Sequence, residues 1–98
     1  MPLFCYVGYD GPDGLEKRPE ARPKHLAHAE KLAARFVGPL LDDASSPCGS
    51  LCVFEADDFE TARRIANADP YLELGVFERV EVFETKQVFP AAHDAPES

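Results

Sequence analysis

No stretch of this chain approaches the ~20 consecutive apolar residues that a membrane-crossing helix needs, so no membrane association is expected. Its ten Lys and Arg form no tight basic run, and the net charge is −8. A phosphate backbone is bound through a basic face, so nucleic acid is not an expected partner. The segment Met1 to Tyr6 lacks the basic start and apolar core of a secretion signal. Gly8, Gly49 and Gly75 fit neither the GxGxxG nor the Walker spacing that cradles phosphate. Cysteine is scarce: Cys5, Cys48 and Cys52 form an odd set with no CxxC pair. Four thiolates, or Cys and His at zinc spacing, are missing, so neither a metal nor a cofactor is expected. Cys48 and Cys52 fall on one strand, about 13 Å apart in an extended chain and beyond disulfide reach. All three cysteines read as reduced, small buried residues of a cytoplasmic protein.

What is present reads as one small domain. Ninety-eight residues bury a modest share of their surface, so a second copy would help to stabilise the chain. Hydrophobic residues at 45% and charged residues at 29% leave enough of both for a core and a solvated surface. Leu3 to Tyr9 is an apolar, aromatic run that reads as a strand, ended by Asp10-Gly11-Pro12-Asp13-Gly14 turn chemistry. Leu15 to Arg22 is polar and holds Pro19, which predicts no more than one irregular helical turn. Pro23 suits the first position of a helix, and Leu26, Ala29, Leu32, Ala33 and Phe36 follow at helical spacing. Phe36 to Leu41 is a short strand distorted at Gly38-Pro39. After the turn cluster Asp42 to Pro47, Gly49 to Ala56 is a strand apolar on both faces. Asp57 or Asp58 caps a second helix carrying Phe59, Ala62, Ile65 and Ala66, and Asn67 to Pro70 stops it. Val76 to Val88 is the last strand, with Val80 and Val82 on one face and Phe77 and Phe83 on the other. Residues 1–89 form the domain, and residues 90–98, which include His93, are expected to be a flexible C-terminal tail.

The order β-α-β-β-α-β predicts an α+β, ferredoxin-like fold: a four-stranded antiparallel sheet with two helices on one face. Two helices leave the second face bare, although the strands carry apolar residues there. A homodimer with a barrel-like interior would cover it.

Two short motifs carry the candidate chemistry. Arg22-Pro23-Lys24-His25 puts a histidine in the first turn of a helix. Asp69-Pro70-Tyr71 puts an aspartate on a turn before the last strand. A carboxylate accepting the Nδ1–H of an imidazole orients the ring and tunes its other nitrogen for acid–base work. His25 and Asp69 are therefore the candidate catalytic pair. Arg22, a planar cation, and Tyr71, a hydroxyl donor, are candidates for binding a substrate. Each residue also has a plain structural reading: a histidine satisfied by backbone, a turn-opening aspartate, a solvated arginine, a tyrosine plugging the sheet edge. His25 and His28 stand at i, i+3, but no further metal ligands accompany them.

These motifs, with Gly38-Pro39-Leu40-Leu41, Gly49-Ser50-Leu51 and Gly75-Val76-Phe77, resemble the YCII-related (YciI-like) family from about Leu3 to Phe89. The resemblance implies a dimeric α/β-barrel related to muconolactone isomerase, and a His–Asp site that falls on His25 and Asp69. It implies elimination or isomerisation of a small cyclic compound. Only twelve residues separate His25 from Gly38, fewer than is usual in the family, so the first helix or second strand should be about one turn short. The expected function is cofactor-free proton transfer on a small anionic or phenolic molecule. The alternative is a non-catalytic ligand-binding or interaction module of the same fold. A catalytic site requires His25 to face a cavity with Asp69 in hydrogen-bond reach.

Overall fold

The computed structural model describes residues 1–90, so the expected tail beyond them, with His93, lies outside the described residues. The elements are β1 (Leu3–Asp10), α1 (Gly14–Lys31), β2 (Phe36–Leu41), β3 (Pro47–Glu55), α2 (Phe59–Asn67), α3 (Pro70–Glu73) and β4 (Phe77–Thr85). The four strands form one antiparallel sheet in the order β2-β3-β1-β4. This is the ferredoxin-like arrangement that the sequence predicts. No helix among the described residues is long and apolar enough to cross a membrane.

Strand alternation sorts the sheet into two faces. Phe4, Tyr6 and Gly8 of β1 lie opposite Phe54, Cys52 and Ser50 of β3, and all six are buried on the helix side. Under α2 the core is dense: Phe4, Tyr6, Cys52 and Phe54 pack with Ala56, Ala62 and Ala66. The two helical alanines stand at i, i+4 and let α2 lie close to the sheet. The Asp58 carboxylate caps α2 by accepting from the Thr61 N–H at 2.8 Å. Under α1 the sheet instead offers small residues, Gly8 and Ser50. That leaves room for larger polar side chains descending from the helix.

Helix α1 is the main departure from expectation. It begins at Gly14, nine residues before Pro23, and carries Pro19 and Pro23 inside it. Each internal proline removes an N–H and crowds the carbonyl four residues back, at a cost of about 3 kcal/mol. Those carbonyls belong to Leu15 and Pro19, both exposed, so water can reach them. Burial of Arg18, Ala21 and His25 on one face offsets the loss. The buried stripe therefore runs through these residues and not through Leu26 and Phe36: Leu26 is exposed and Phe36 belongs to β2. The helix has 18 residues, and four residues, Leu32 to Arg35, link it to β2.

Two smaller departures matter for the site. The Asp69-Pro70-Tyr71 turn is the start of a one-turn helix, α3, capped by Asp69. Strand β4 is also shorter than Val76 to Val88, and its register against β1 shifts between Tyr9 and Asp10. This bulge changes the alternation. Phe77 is consequently buried on the helix side, whereas Phe83 stands on the open face.

Gly8 makes the placement of Phe77 possible. A Cβ at Gly8 would lie 2.3 Å from the Phe77 ring. Gly8→Ala should therefore displace that ring and cost about 1–3 kcal/mol, a loss that thermal or denaturant unfolding would measure.

The three cysteines are free. Cys52 is buried, whereas Cys48 is exposed, contrary to the expectation that all three are buried. Cys5 pairs with Val53, and Tyr6 with Cys52, so Cys5 and Cys52 point to opposite faces of the sheet.

Candidate functional site

His25 and Asp69 meet. His25 descends from α1 and is buried, and its Nδ1 lies 2.8 Å from Asp69 Oδ1. Asp69 is fully buried at the start of α3. The same Oδ1 accepts the Tyr71 backbone N–H at 2.8 Å, and Oδ2 accepts the Tyr6 hydroxyl at 2.5 Å. Both carboxylate oxygens are thus committed as acceptors, so Nδ1 of His25 must carry the proton it shares with Asp69. In the neutral ring this leaves a lone pair on Nε2.

The electrostatics agree with an ionised Asp69. Burial would push its carboxyl up. The hydrogen bonds from His25 and Tyr6, the charge of His25 and the Tyr71 N–H outweigh burial and hold it below the ordinary value. The Tyr6 hydroxyl is pushed far up, first by burial and then by the Asp69 charge, so it serves as a fixed donor.

Tyr71 is buried and stacks flat on His25, with ring centroids 3.8 Å apart and planes 3° from parallel. Phe77 meets both rings edge-on, at 6.5 Å from His25 and 5.4 Å from Tyr71. The imidazole is held by a hydrogen bond along one edge and by an aromatic ring on one face. Burial raises the Tyr71 hydroxyl above its ordinary value, partly countered by the positive charges of Arg18 and Arg22.

A cavity of about 360 Å³ opens beside this pair, lined by His25, Tyr71, Arg18, Arg22, Ser50 and Pro39 among others. Among the described residues the His25 side chain bonds only through Nδ1, and Nε2 has no protein partner. Three of the four residues singled out in the sequence, Arg22, His25 and Tyr71, therefore border one space, while Asp69 is buried behind His25. Arg22 is the exposed member. His28 is not part of it and lines a separate groove between α1 and α2.

Four residues in this neighbourhood escaped the sequence reading: Tyr6, Asp10, Arg18 and Ser50. Arg18 is buried; its Nε and Nη2 each bond Asp10 at 2.8 Å. Nη2 also reaches the Gly49 carbonyl at 2.8 Å and Ser50 Oγ at 3.2 Å. Arg18, Arg22 and His25 stand at i, i+4 and i+7, one face of a helix. That spacing was present in the sequence, but starting the helix at Pro23 hid it.

A ferredoxin-like α+β domain with a cavity beneath its first helix is the class that this fold and site define. Within that class, the chain belongs to the YCII-related domain family, whose sequence model matches residues 2–86. Protein YciI of Escherichia coli O6:H1 is 37% identical over 97 aligned positions, covering 89% of this chain and 99% of the relative. An uncharacterized protein of Haemophilus influenzae is 34% identical over 96 positions, covering 88% and 98%. Among solved structures, 5-chloro-2-hydroxyhydroquinone dehydrochlorinase from Burkholderia phenoliruptrix AC1100, in complex with 2,5-dihydroxybenzoquinone, superposes with a TM-score of 0.74. It is 27% identical, and the match covers 86% of this chain and 93% of that one.

Proposed function

We propose that this protein catalyses cofactor-free proton transfer on a small cyclic or phenolic compound, as an elimination or isomerisation. The observation that carries this reading is His25, tied to buried Asp69 through Nδ1 while Nε2 is left without a protein partner beside a cavity. In an elimination, Nε2 takes a proton from the substrate, the released electron pair forms a new double bond, and the leaving group departs with its own pair. Asp69 stabilises the imidazolium that results and holds the ring in its orientation. Tyr71 fixes the ring plane. Arg22 and the Tyr71 hydroxyl bind a negatively charged or phenolic group of the substrate.

The dehydrochlorinase, with its bound dihydroxybenzoquinone, supports a small oxygenated ring as the first substrate to try. Purified protein would be incubated with 5-chloro-2-hydroxyhydroquinone and related hydroxylated rings in deuterated water. Chloride release and deuterium incorporation would be followed together. Turnover that disappears in His25→Ala is the expected result. Ligand binding without turnover in the wild type, or turnover unchanged in His25→Ala, would sink the catalytic reading in favour of a binding module.

The open face of the sheet supports a homodimer as the working form. Cys5, Val7, Leu51 and Val53 run along its centre, with Phe36, Leu40 and Phe83 more exposed around them. Polar clusters flank this apolar strip. Tyr9 donates to Glu81 while Arg79 lies over the Tyr9 ring, and Arg35 pairs with Glu55. A stable interface buries roughly 1,200–2,000 Å² in total. Sedimentation should show a dimer at micromolar concentration, and Val53→Glu should shift it to monomer. A wild-type monomer would refute the assembly.

A further inference from the structure

We propose that Arg18 and Ser50 form the oxyanion-binding end of the cavity, holding the substrate oxygen on which negative charge develops as His25 removes a proton. The proposal rests on the proton-transfer reading above and adds the residues that receive the charge. The step balances within the site. The C–H bond breaks, its proton goes to His25 Nε2, and its electron pair moves into an adjacent carbonyl system, whose oxygen becomes the anion.

Three observations carry it. First, Arg18 and Ser50 are 9% and 3% exposed, and both line the same cavity as His25. Second, each retains an unused donor. Arg18 commits Nε and Nη2 to Asp10, Gly49 and Ser50, and among the described residues Nη1 has no partner. Ser50 Oγ accepts from Arg18, which leaves its own hydroxyl proton free to donate. Third, the guanidinium is immobilised before any ligand arrives. Two bonds to Asp10 and one to a backbone carbonyl fix its plane, and Tyr71 lies alongside, 5.2 Å from guanidinium carbon to ring centroid.

Fixed donors favour an oxyanion far more than mobile ones do, because they need no reorganisation when charge appears. Arg22, which the sequence brought forward as the anion holder, is exposed, and solvent and salt weaken its charge. Asp10 balances the charge of Arg18, so the site does not require an anion in the ground state. It takes a neutral carbonyl or phenol and gains strength as the oxygen becomes negative. The substrate class is accordingly an enolisable carbonyl or an ionisable phenol.

The test uses 4-nitrophenol, whose absorbance reports its own ionisation, and 4-nitroanisole as its uncharged counterpart. Wild-type protein should bind 4-nitrophenol as phenolate. Ser50→Ala and Arg18→Lys should each weaken phenolate binding by about tenfold or more, the usual worth of a hydrogen bond to a charged group. Both should leave 4-nitroanisole binding unchanged, which a merely structural role for these residues would not produce. Arg22→Gln should weaken phenolate binding less. Phenolate affinity unchanged in Ser50→Ala, equal losses for both probes, or no phenolate binding by the wild type would overturn the proposal. The two readings fail separately. Loss of turnover in His25→Ala with normal phenolate binding in Ser50→Ala would discard only the oxyanion site. The reverse pattern would discard only the proton-transfer pair.

Discussion

His25→Ala should lower turnover by on the order of 10²–10⁴-fold, and adding Asp69→Asn to it should lower turnover little further. Asp69→Asn alone should cost less than His25→Ala, for a reason visible in the hydrogen bonds. Oδ1 of Asp69 accepts from both His25 Nδ1 and the Tyr71 N–H. An asparagine must keep its oxygen at that position to satisfy the two donors. Its amide nitrogen then faces the Tyr6 hydroxyl, which can turn and accept. The tautomer of His25 therefore survives and only the negative charge is lost. That charge favours the imidazolium formed in proton transfer, so its loss lowers turnover while the oriented ring keeps part of the activity. Measured rates for wild type, both single variants and the double variant complete the cycle. Losses that simply multiply would mean that the two residues act independently.

Asp69→Ala should be among the most destabilising single changes in the domain, at about 3–5 kcal/mol. It strips the partner from the buried Tyr6 hydroxyl, the Tyr71 N–H and the His25 ring together. A domain of this size has roughly 5–15 kcal/mol of stability in all, so the loss is a large share of it. The same carboxylate imposes a pH dependence. Its native value lies below the unfolded one, so the unfolded state binds the proton more readily. Its stabilisation is complete above the ordinary aspartate range. It drains away as pH falls from about 4 through the depressed native value. Denaturant midpoints should therefore drop on that acid limb in the wild type, and Asp69→Asn should flatten the limb. A limb of equal steepness in Asp69→Asn would mean that other carboxylates account for the acid sensitivity.

The sequence alone determined the strand order along the chain, the ferredoxin-like sheet, a capping aspartate at Asp57 or Asp58 and the two motifs that border the cavity. These are local signals: short apolar runs in β1 and β3, a capping carboxylate before an apolar stripe, turn residues between strands. Such patterns act over a few residues and read the same way whatever surrounds them. Tertiary structure decided the rest. Helix α1 runs through Pro19 and Pro23, against local propensity, because Arg18, Ala21 and His25 are buried on the sheet. Phe77 turned to the helix side because a register shift against β1 reversed the alternation, and Gly8 left space for its ring. The partners of Asp69 lie 63 residues before it at Tyr6 and 44 before it at His25. No periodicity joins residues so far apart. Only the closing of α1 over small sheet residues brings a buried arginine, a serine and a histidine to the wall of one cavity, because hydrogen bonding and burial depend on what the folded chain places side by side.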